Sequence, residues 1–466
     1  MPRCPDQILT VAQMREAERR LIDGGSSVDA LMQVAGQGAA EWVWRMAAHH
    51  KVTVLCGPGN NGGDGYVIAE TIRARGGKVC VIAATEPKTD AARNARTLYR
   101  GDVLATDVDV HGEVLVDCLF GSGLTRPLEP AHLALLRRLA SGHRHRIAID
   151  VPSGVDSDSG MLLNDDLPAF DLTVSLGAWK FAHYLMSASA IMGATRLVDI
   201  GCDPVPGAAR VLVRPRIAAP EADAHKYRRG LLAVVGGAMP GAAILAARAA
   251  QGAGAGYVKL FAPERASAPA DLVVETGPLS EVLTDHRNTA ILAGPGLGRD
   301  GGARERLATA LADPVPAVLD ADALVLLSPR VIAGRTAPLV ATPHEGELVA
   351  LERAFGCDGG GSKAARAAAL AEKSGMVIVA KGPDTVIAAP DGRLACAPRA
   401  ASWLSASGTG DVLAGVIASR IATGREAFAA AGEGVWLHGE AARLCGAGFA
   451  AGTLADAIPA ALATCL

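Results

Sequence analysis

Val52-Thr53-Val54-Leu55-Cys56 runs into Gly57-Pro58-Gly59-Asn60-Asn61-Gly62-Gly63-Asp64-Gly65, and Tyr66 to Arg75 follows with Val67, Ala69 and Ile72 at helical spacing. The first five residues read as a short strand covered on both faces. A glycine-rich loop then hands the chain to a helix. Strand, loop and helix in that order open a parallel α/β sheet, and such a loop turns backbone N–H groups and a helix dipole toward an anion. The spacing is not G-x-G-x-x-G, so plain hydride chemistry is not implied. Asn60, Asn61 and Asp64 add oxygens. The alternative is a tight glycine turn with the asparagines in left-handed conformations.

The pattern extends in both directions. Gln13 to Ala48 has helical periodicity, broken at Gly24-Gly25-Ser26-Ser27. Downstream come strand Lys78 to Ala83, a helix near Asp90 to Tyr99, strand Val114 to Asp117, helix Ala131 to Ala140, strand Ile147 to Asp150, and strand-like runs Leu172 to Leu176 and Arg196 to Ile200. This alternation predicts a Rossmann-like doubly wound parallel sheet. From Asp203 to Ala224 the period is lost among Pro204, Pro206, Pro215 and Pro220, so a domain boundary is expected near residue 217, giving domains 1–217 and 218–466. The alternation then restarts with Leu232 to Val235, Gly236-Gly237 and a helix from Gly241. Strands follow at Tyr257 to Phe261, Leu272 to Glu275, Ala290 to Ala293, Ala317 to Leu319, Leu339 to Ala341, Met376 to Ala380 and Thr385 to Ala388. Helices are expected at Gly302 to Ala312, Glu345 to Phe355, Ser362 to Ser374, Asp411 to Thr423 and Glu433 to Leu444.

Bulk properties exclude several functions. With 466 residues, two or three domains are expected. Hydrophobic residues make up 50% and charged residues 20%, which suits packed cores and not long disorder. A net charge of -3 with scattered basic residues offers no footprint for nucleic acid or an anionic membrane. Nine cysteines without a C-x-x-C pair fit neither a disulfide framework nor a zinc site, and point to reduced thiols in a cytoplasmic protein. Met1 to Thr10 lacks the apolar core of a signal peptide. The most apolar region, Leu231 to Phe261, is broken by Pro240, Arg248 and Lys259 and is no membrane span.

In a parallel sheet the strand C-terminal ends converge on one crevice. Asp117 ends one strand and leads into Phe120-Gly121-Ser122-Gly123-Leu124-Thr125-Arg126-Pro127; Asp150 ends the next and leads into Val151-Pro152-Ser153-Gly154. Asn61, Asp117 and Ser153 together offer hard oxygens suited to an alkali or alkaline-earth cation. Otherwise Asp117 and Asp150 only cap the turns that follow them. Lys180 is either a positive group near this crevice or a solvated lysine. In the second half, Gly294-Pro295-Gly296-Leu297-Gly298, Asp320-Ala321-Asp322, Thr342-Pro343-His344-Glu345-Gly346-Glu347 and Lys381-Gly382-Pro383-Asp384-Thr385 all follow strands. Ser407-Gly408-Thr409-Gly410-Asp411 opens a helix, so its N–H groups suit a phosphate oxygen. Asp411 there is either a helix cap or a base for a hydroxyl lying beside that phosphate.

GPGNNGGDG, VDCLFGSGLTRP and AIDVPSGVDS resemble the N-terminal domain of NAD(P)H-hydrate epimerases over about residues 10 to 205. The resemblance implies that Asn60, Asn61, Gly62, Gly63 and Asp64, and the loop Gly121, Ser122, Gly123, Leu124, Thr125, Arg126 and Pro127, bind the hydrated nicotinamide nucleotide. It puts K+ on Asn61, Asp117 and Ser153, and makes Asp150 the catalytic, substrate-contacting aspartate. Where that family commonly has M-E-x-A-G, this chain reads Met32-Gln33-Val34-Ala35-Gly36. HKYRRGLLAVVGG, AGPGLG, TPHEGE, KGPDT and SGTGDVLAG, over about residues 225 to 455, resemble the ribokinase-like superfamily and, within it, ADP-dependent NAD(P)H-hydrate dehydratase. This implies an α/β/α domain in which Ala242, Gly296, Gly298, His344 and Asp411 contact the hydrate. Lys381, Gly382, Pro383, Asp384, Thr385, Gly408, Thr409 and Gly410 would contact the adenine nucleotide. Ser407 stands where that family often has glycine, which a negative φ tolerates.

The reaction so implied is repair of hydrated NADH and NADPH (NADHX and NADPHX). The first domain exchanges the two epimers. The second uses ADP or ATP, with Mg2+ on its phosphates, to dehydrate the S hydrate, Asp411 acting as base. The resemblance also suggests a homo-oligomer. Two other classes compete: a ribokinase-like kinase of a vitamin precursor, giving a stable phosphorylated product, and a first domain that only binds a ligand. The fused first domain, His344 and GPGLG weigh against the kinase; intact Asn61, Asp117, Asp150 and Ser153 weigh against the binding module.

Overall fold

The computed structural model describes residues 5–264, 267–283 and 285–466. Its contacts divide the chain into two compact units, Met1–Arg210 and Val211–Leu466. The division falls inside the proline-containing stretch between the two expected domains.

Unit 1 runs β1 (Gln7–Ile8), α1 (Val11–Asp23), α2 (Val28–Ala47), β2 (Val52–Cys56), α3 (Asn60–Ala74), β3 (Val79–Ala83), α4 (Asp90–Leu98), β4 (Val103–Leu104), β5 (Gly112–Cys118), α5 (Pro130–Ser141), β6 (His143–Ile149), β7 (Leu172–Leu176), α6 (Ala188–Ile191), β8 (Ala194–Val198) and β9 (Ala209–Val211). Seven strands form one sheet in the order β4-β3-β2-β5-β6-β7-β8, and every pairing in it is parallel. β2 is buried at every position, as a strand with helices on both faces must be. One core face packs Ala39, Val43, Tyr66 and Ile68 from α2 and α3 against Val54, Val116 and Val174; the other packs Leu135, Leu136 and Leu139 of α5 against Leu55 and Leu115.

The strand order reverses between β2 and β5, and the crevice opens there. Gly57, after β2, lies so close to the loop after β5 that a Cβ on it would stand 1.7 Å from Leu119 O. The chain turns helical at Asn60, not Tyr66, so Asn60 to Gly65 are the first turns of α3 and only Gly57-Pro58-Gly59 is loop. Glycine disfavours a helix interior, but packing overrides that here: a Cβ on Gly62 would lie 1.9 Å from Gly57 O, and one on Gly65 would lie 2.7 Å from Cys56 Sγ.

Unit 2 runs β10 (Leu231–Val235), α7 (Pro240–Gly252), β11 (Tyr257–Phe261), β12 (Val273–Glu275), α8 (Leu279–Val282), β13 (Asn288–Ala293), α9 (Gly301–Ala312), β14 (Ala317–Leu319), α10 (Asp322–Leu326), β15 (Leu339–Ala341), α11 (Glu345–Phe355), α12 (Lys363–Ser374), β16 (Val377–Ala380), β17 (Val386–Ala388), β18 (Leu394–Cys396), α13 (Thr409–Ala422), α14 (Ala427–Cys445) and α15 (Ala451–Ala463). Its strands lie in the order β12-β11-β10-β13-β14-β15-β16-β17-β18. They are parallel from β12 to β16, and β17 and β18 add an antiparallel edge. The order reverses between β10 and β13. There Met239 N–H donates to Gly296 O at 2.9 Å, and a Cβ on Gly296 would meet Met239 O at 2.0 Å. α13 lies against α7 and α14, with Val412, Val416, Leu437 and Ala441 in one cluster beside Leu454 and Ile458 of α15.

Candidate functional site

In both units most of the sequence-predicted residues lie in the loops and helix starts that follow the strand C-terminal ends. In unit 1, β5 delivers Asp117, which is fully buried. Its Oδ1 accepts from Leu119 N–H at 3.0 Å and from Ser153 Oγ at 2.7 Å, and its Oδ2 accepts from Ser153 N–H at 2.9 Å. Burial raises its carboxyl despite these hydrogen bonds. Phe120 N–H donates to Ser153 Oγ at 2.8 Å, which ties the loop after β5 to the loop after β6. Asn61, in the first turn of α3, holds both atoms of its side-chain amide out of solvent with no partner among the described residues. An orphaned buried amide is costly unless something fills its bonds. Asn61 Oδ1 is a hard oxygen, as are those of Asp117 and Ser153, and oxygens of this kind suit an alkali cation.

Asp150 follows β6 with φ 68°, a left-handed conformation that is strained for a non-glycine residue and re-aims the side chain. Its Oδ2 accepts from Ser122 N–H at 2.9 Å, and its Oδ1 pairs with Lys180. Lys180 is buried, not solvated, and also donates to Leu176 O at 2.7 Å. Burial favours a neutral Asp150, but the Lys180 ammonium and the hydrogen bonds from Lys180 and Ser122 hold the carboxyl below its usual range. His183 Nε2 lies 2.9 Å from Asp150 O. A Cβ on Gly121 would stand 3.1 Å from both Asn61 Cγ and Asp150 Oδ2, so these three residues face one small space. Asp64 is buried near them, and burial, then Asp150 and Glu18, push its carboxyl well up.

Not every predicted contact lines this space. Asn60, Gly123, Thr125, Arg126 and Pro127 are exposed on the rim, with Leu124 half-buried beside them. Gly63 faces Met32 and Ala92, away from Asp150, and Gly62 faces Gly57, so both glycines serve packing. Sequence reasoning missed the contribution of α1. A Cβ on Gly123 would lie 3.6 Å from Arg15 Nη2, and Glu18 feels the charges of Lys180 and Asp150. Arg15 and Glu18 stand three apart on one helix face, and that spacing was the available signal.

In unit 2, Asp411 lies in the first turn of α13, whose N-cap is Gly408 with φ 87°. Burial, and then Asp320, raise the Asp411 carboxyl to about 6, against the opposing pull of Lys381. Lys381 Nζ donates to Asp320 Oδ1 at 2.6 Å, and a Cβ on Gly410 would lie 3.3 Å from that ammonium. The first amides of a helix have no intrahelical acceptor, so those of Gly410 and Asp411 present N–H beside a fixed positive charge. Thr409 faces inward: its Oγ1 donates to Leu404 O at 2.8 Å and Ala406 O at 2.9 Å, and buried His438 holds Thr409 O at 2.9 Å. Ser407 does not have positive φ.

A cavity of about 680 Å³ adjoins this turn, lined among others by Lys381, Gly382, Pro383, Thr385, Thr409 and Gly410. Asp384 is not among its lining residues; it is buried and paired with Lys363. Gly408 does not line it either, and packs toward Leu245 and Ala451. His344 caps α11: its Nδ1 accepts from Gly346 N–H at 3.0 Å and Glu347 N–H at 3.3 Å, and Nε2 of its exposed ring lies 3.6 Å from Glu347 Oε1. Gly298 N–H donates to Asp322 Oδ2 at 2.9 Å, and Ala242 is half-buried in the first turn of α7, beside the Met239–Gly296 contact. The eight described cysteines are free thiols, and six are buried; Cys4 lies outside the described residues. Among the described residues no helix is long and apolar enough to cross a membrane.

Residues 232–463 match the family described as NAD(P)H-hydrate dehydratase, and residues 28–182 match the YjeF-related protein N-terminus. The bifunctional NAD(P)H-hydrate repair enzyme of Salinibacter ruber is 34% identical over 509 residues, an alignment that covers 95% of this chain and 93% of that protein. The enzyme of the same name from Moorella thermoacetica is 32% identical, covering 92% and 91%. A solved ADP/ATP-dependent NAD(P)H-hydrate dehydratase from Bacillus subtilis, co-crystallised with ATP and Mg2+, is 27% identical and covers 54% of this chain and 95% of its own, with a TM-score of 0.48.

Proposed function

The chain belongs to the family of bifunctional NAD(P)H-hydrate repair enzymes, and from that premise we propose how its residues divide the work. Residues 1–217 exchange the R and S hydrates of NADH and NADPH. Residues 218–466 return the S hydrate to the reduced dinucleotide at the expense of ADP or ATP.

In the first site Asp150 faces the carbon that bears the hydroxyl. Its ion pair with Lys180 keeps the carboxylate ionised inside a buried space, and its backbone geometry aims it at the crevice. Asn61, Asp117 and Ser153 would hold potassium, a reading supported by the unpartnered Asn61 amide. Bound there, potassium would supply a fixed positive charge and take up the unpartnered Asn61 Oδ1.

In the second site Asp411 removes the proton of the ring hydroxyl. The freed oxygen attacks the terminal phosphoryl group of the nucleotide: an O–P bond forms, the bridging P–O bond breaks, and the shortened nucleotide leaves. The amides of Gly410 and Asp411, with Lys381, stabilise charge on the transferring group. The hydroxyl has become a phosphate ester. Phosphate then departs with the C–O electron pair, the adjacent ring carbon gives up a proton, and the reduced ring is restored. Around Asp411 the Lys381 ammonium is offset by the neighbouring Asp320 and Asp322 carboxylates; magnesium on the nucleotide phosphates would add positive charge there. The single observation that carries the reading is Asp411 itself, a carboxyl poised near neutrality at the start of a helix beside a fixed lysine.

The buried free thiols support a reducing, cytoplasmic setting, and a homo-oligomer belongs to the same reading. The test is to give the full chain both hydrate epimers with ADP or ATP and follow the absorbance of the reduced ring. Complete recovery is expected. Recovery stopping at one epimer would remove the epimerase assignment, and no recovery with either nucleotide would remove the whole reading.

A further inference from the structure

Asp320-Ala321-Asp322 leads from β14 into α10 and reaches in two directions. Asp320 is 1% exposed, and its Oδ1 takes two bonds, from Lys381 Nζ at 2.6 Å and from Thr342 Oγ1 at 2.7 Å. Asp322 is also buried; its Oδ2 accepts from Gly298 N–H at 2.9 Å and its Oδ1 from Arg299 Nε at 2.7 Å. Between them Ala321 has φ 48° and ψ -120°, outside the comfortable range of a non-glycine residue. Such strain persists only where the surroundings over-determine it. Here the segment is clamped: a Cβ on Gly294 would stand 1.8 Å from Asp320 O, and Thr342 N–H is bound to Leu319 O at 3.0 Å.

We propose that Asp320 and Asp322 are positioning residues for dehydration, Asp320 setting the Lys381 ammonium beside the Gly408–Gly410 loop and Asp322 setting the Gly296–Gly298 backbone against the hydrate. The proposal rests on the repair reading above. A lysine is a point charge on a flexible stem, and transition-state stabilisation needs that charge fixed before the reaction begins. A buried ion pair contributes little net stability over apolar packing, so its use here is orientation. The two carboxylates are thereby one element with two outputs: one to the nucleotide side of Asp411, the other to the hydrate side. Asp320 also places a negative charge near Asp411, which keeps the base from losing its proton affinity to Lys381.

The test uses Asp320→Asn and Asp322→Asn in the full chain, with KM and kcat for hydrate and nucleotide measured separately. Asp320→Asn should lower kcat for dehydration by about ten- to a hundredfold and leave the hydrate KM nearly unchanged. It should also move the acid limb of the rate to lower pH, because Asp411 loses a neighbouring negative charge. The other charged groups facing Asp411 are Lys381 and Asp322, with neutral His438 on Thr409 O. Asp322→Asn should raise the hydrate KM and largely keep kcat. Adding Asp320→Asn to Lys381→Met should cost little beyond Lys381→Met alone, since the first acts through the second.

Equal loss in kcat and in both KM values for both variants, or additive effects in the double variant, would overturn the proposal. Far-UV circular dichroism and the melting transition of unit 2 in the same samples show that the unit carrying the substitution is folded. If Asp320→Asn does not fold, Thr342→Val loosens the same oxygen, and an unchanged kcat there would also overturn it. A wild-type chain without nucleotide-dependent recovery sinks the repair reading and this proposal together.

Discussion

In the proposed reaction Asp411 must give its oxygen to a proton and keep it only briefly. A carboxyl with an ordinary value near 4 is a weak base at neutral pH; raised to about 6 by burial and by Asp320, it is matched to the task. The base works ionised, so the dehydration rate is half-maximal near pH 6, levels off about one unit above that, and falls about tenfold for each unit well below it. Asp411→Asn removes the base while keeping size and shape, and should cut dehydration by roughly 10²- to 10⁴-fold while epimer exchange continues. A steady-state pH profile of both activities on one sample checks this, and an acid limb centred near 4 would show that the raised value plays no part.

At the scale of elements, α3 shows how a site is positioned by what its helix lacks. Gly62 sits against Gly57 O, Gly65 against Cys56 and Cys118, and Gly36 of α2 against Val67. α3 therefore lies unusually deep, and its first turn delivers Asn61 to the crevice. Gly62→Ala puts a methyl group into backbone, where overpacking costs about 1–3 kcal/mol. It should lower the melting temperature of unit 1 and abolish epimer exchange, yet leave dehydration of the S hydrate intact; retained exchange would mean that Asn61 need not be held so deep.

The same glycines explain what the sequence left obscure. Strands such as Val52–Cys56 and Leu172–Leu176 were legible because fully buried parallel strands are continuous apolar runs. Asn60 to Gly65 reads as loop because glycine's propensity argues against helix, and only the depth of packing reverses that. The β17–β18 hairpin was half seen: its second strand, Leu394–Cys396, follows Pro390-Asp391-Gly392, with Gly392 at φ 88°, a turn signature that was available. α15 carries Pro459 and is nearly uniform in alanine and other apolar residues, so it shows no two-sided pattern to detect. Lys180 was undecided because a sequence gives lysine no burial; its pairing with Asp150 depends on the parallel pairing of β6 with β7, which brings residues thirty positions apart together.

The whole molecule joins two such sites on one chain, each with its own core and its own buried histidine. His183 in unit 1 and His438 in unit 2 are both held down to about 4, by burial first and then by Lys180 in the one case, and by burial, over the opposing bond to Thr409 O, in the other. Both values lie below the free imidazole's, so the folded state refuses a proton that the unfolded chain accepts. That stability is present in full above about pH 6.5 and is lost as pH falls toward 4, by roughly 3 kcal/mol per site. Chemical denaturation across that range should show the loss, and His438→Gln should flatten it for unit 2.

In the proposed reading the two reactions are linked through the S hydrate that one releases and the other binds. Asp150→Asn and Asp411→Asn chains should each fail to convert the R hydrate beyond its uncatalysed exchange. Mixed, they should succeed: the Asp411→Asn chain supplies the S epimer through solution, and the Asp150→Asn chain dehydrates it. The absorbance trace should show a lag that shortens as more Asp411→Asn chain is added, because that chain sets the supply. A mixture as inactive as its parts would mean that the epimer never leaves the chain that makes it, and the two sites would then have to be treated as one.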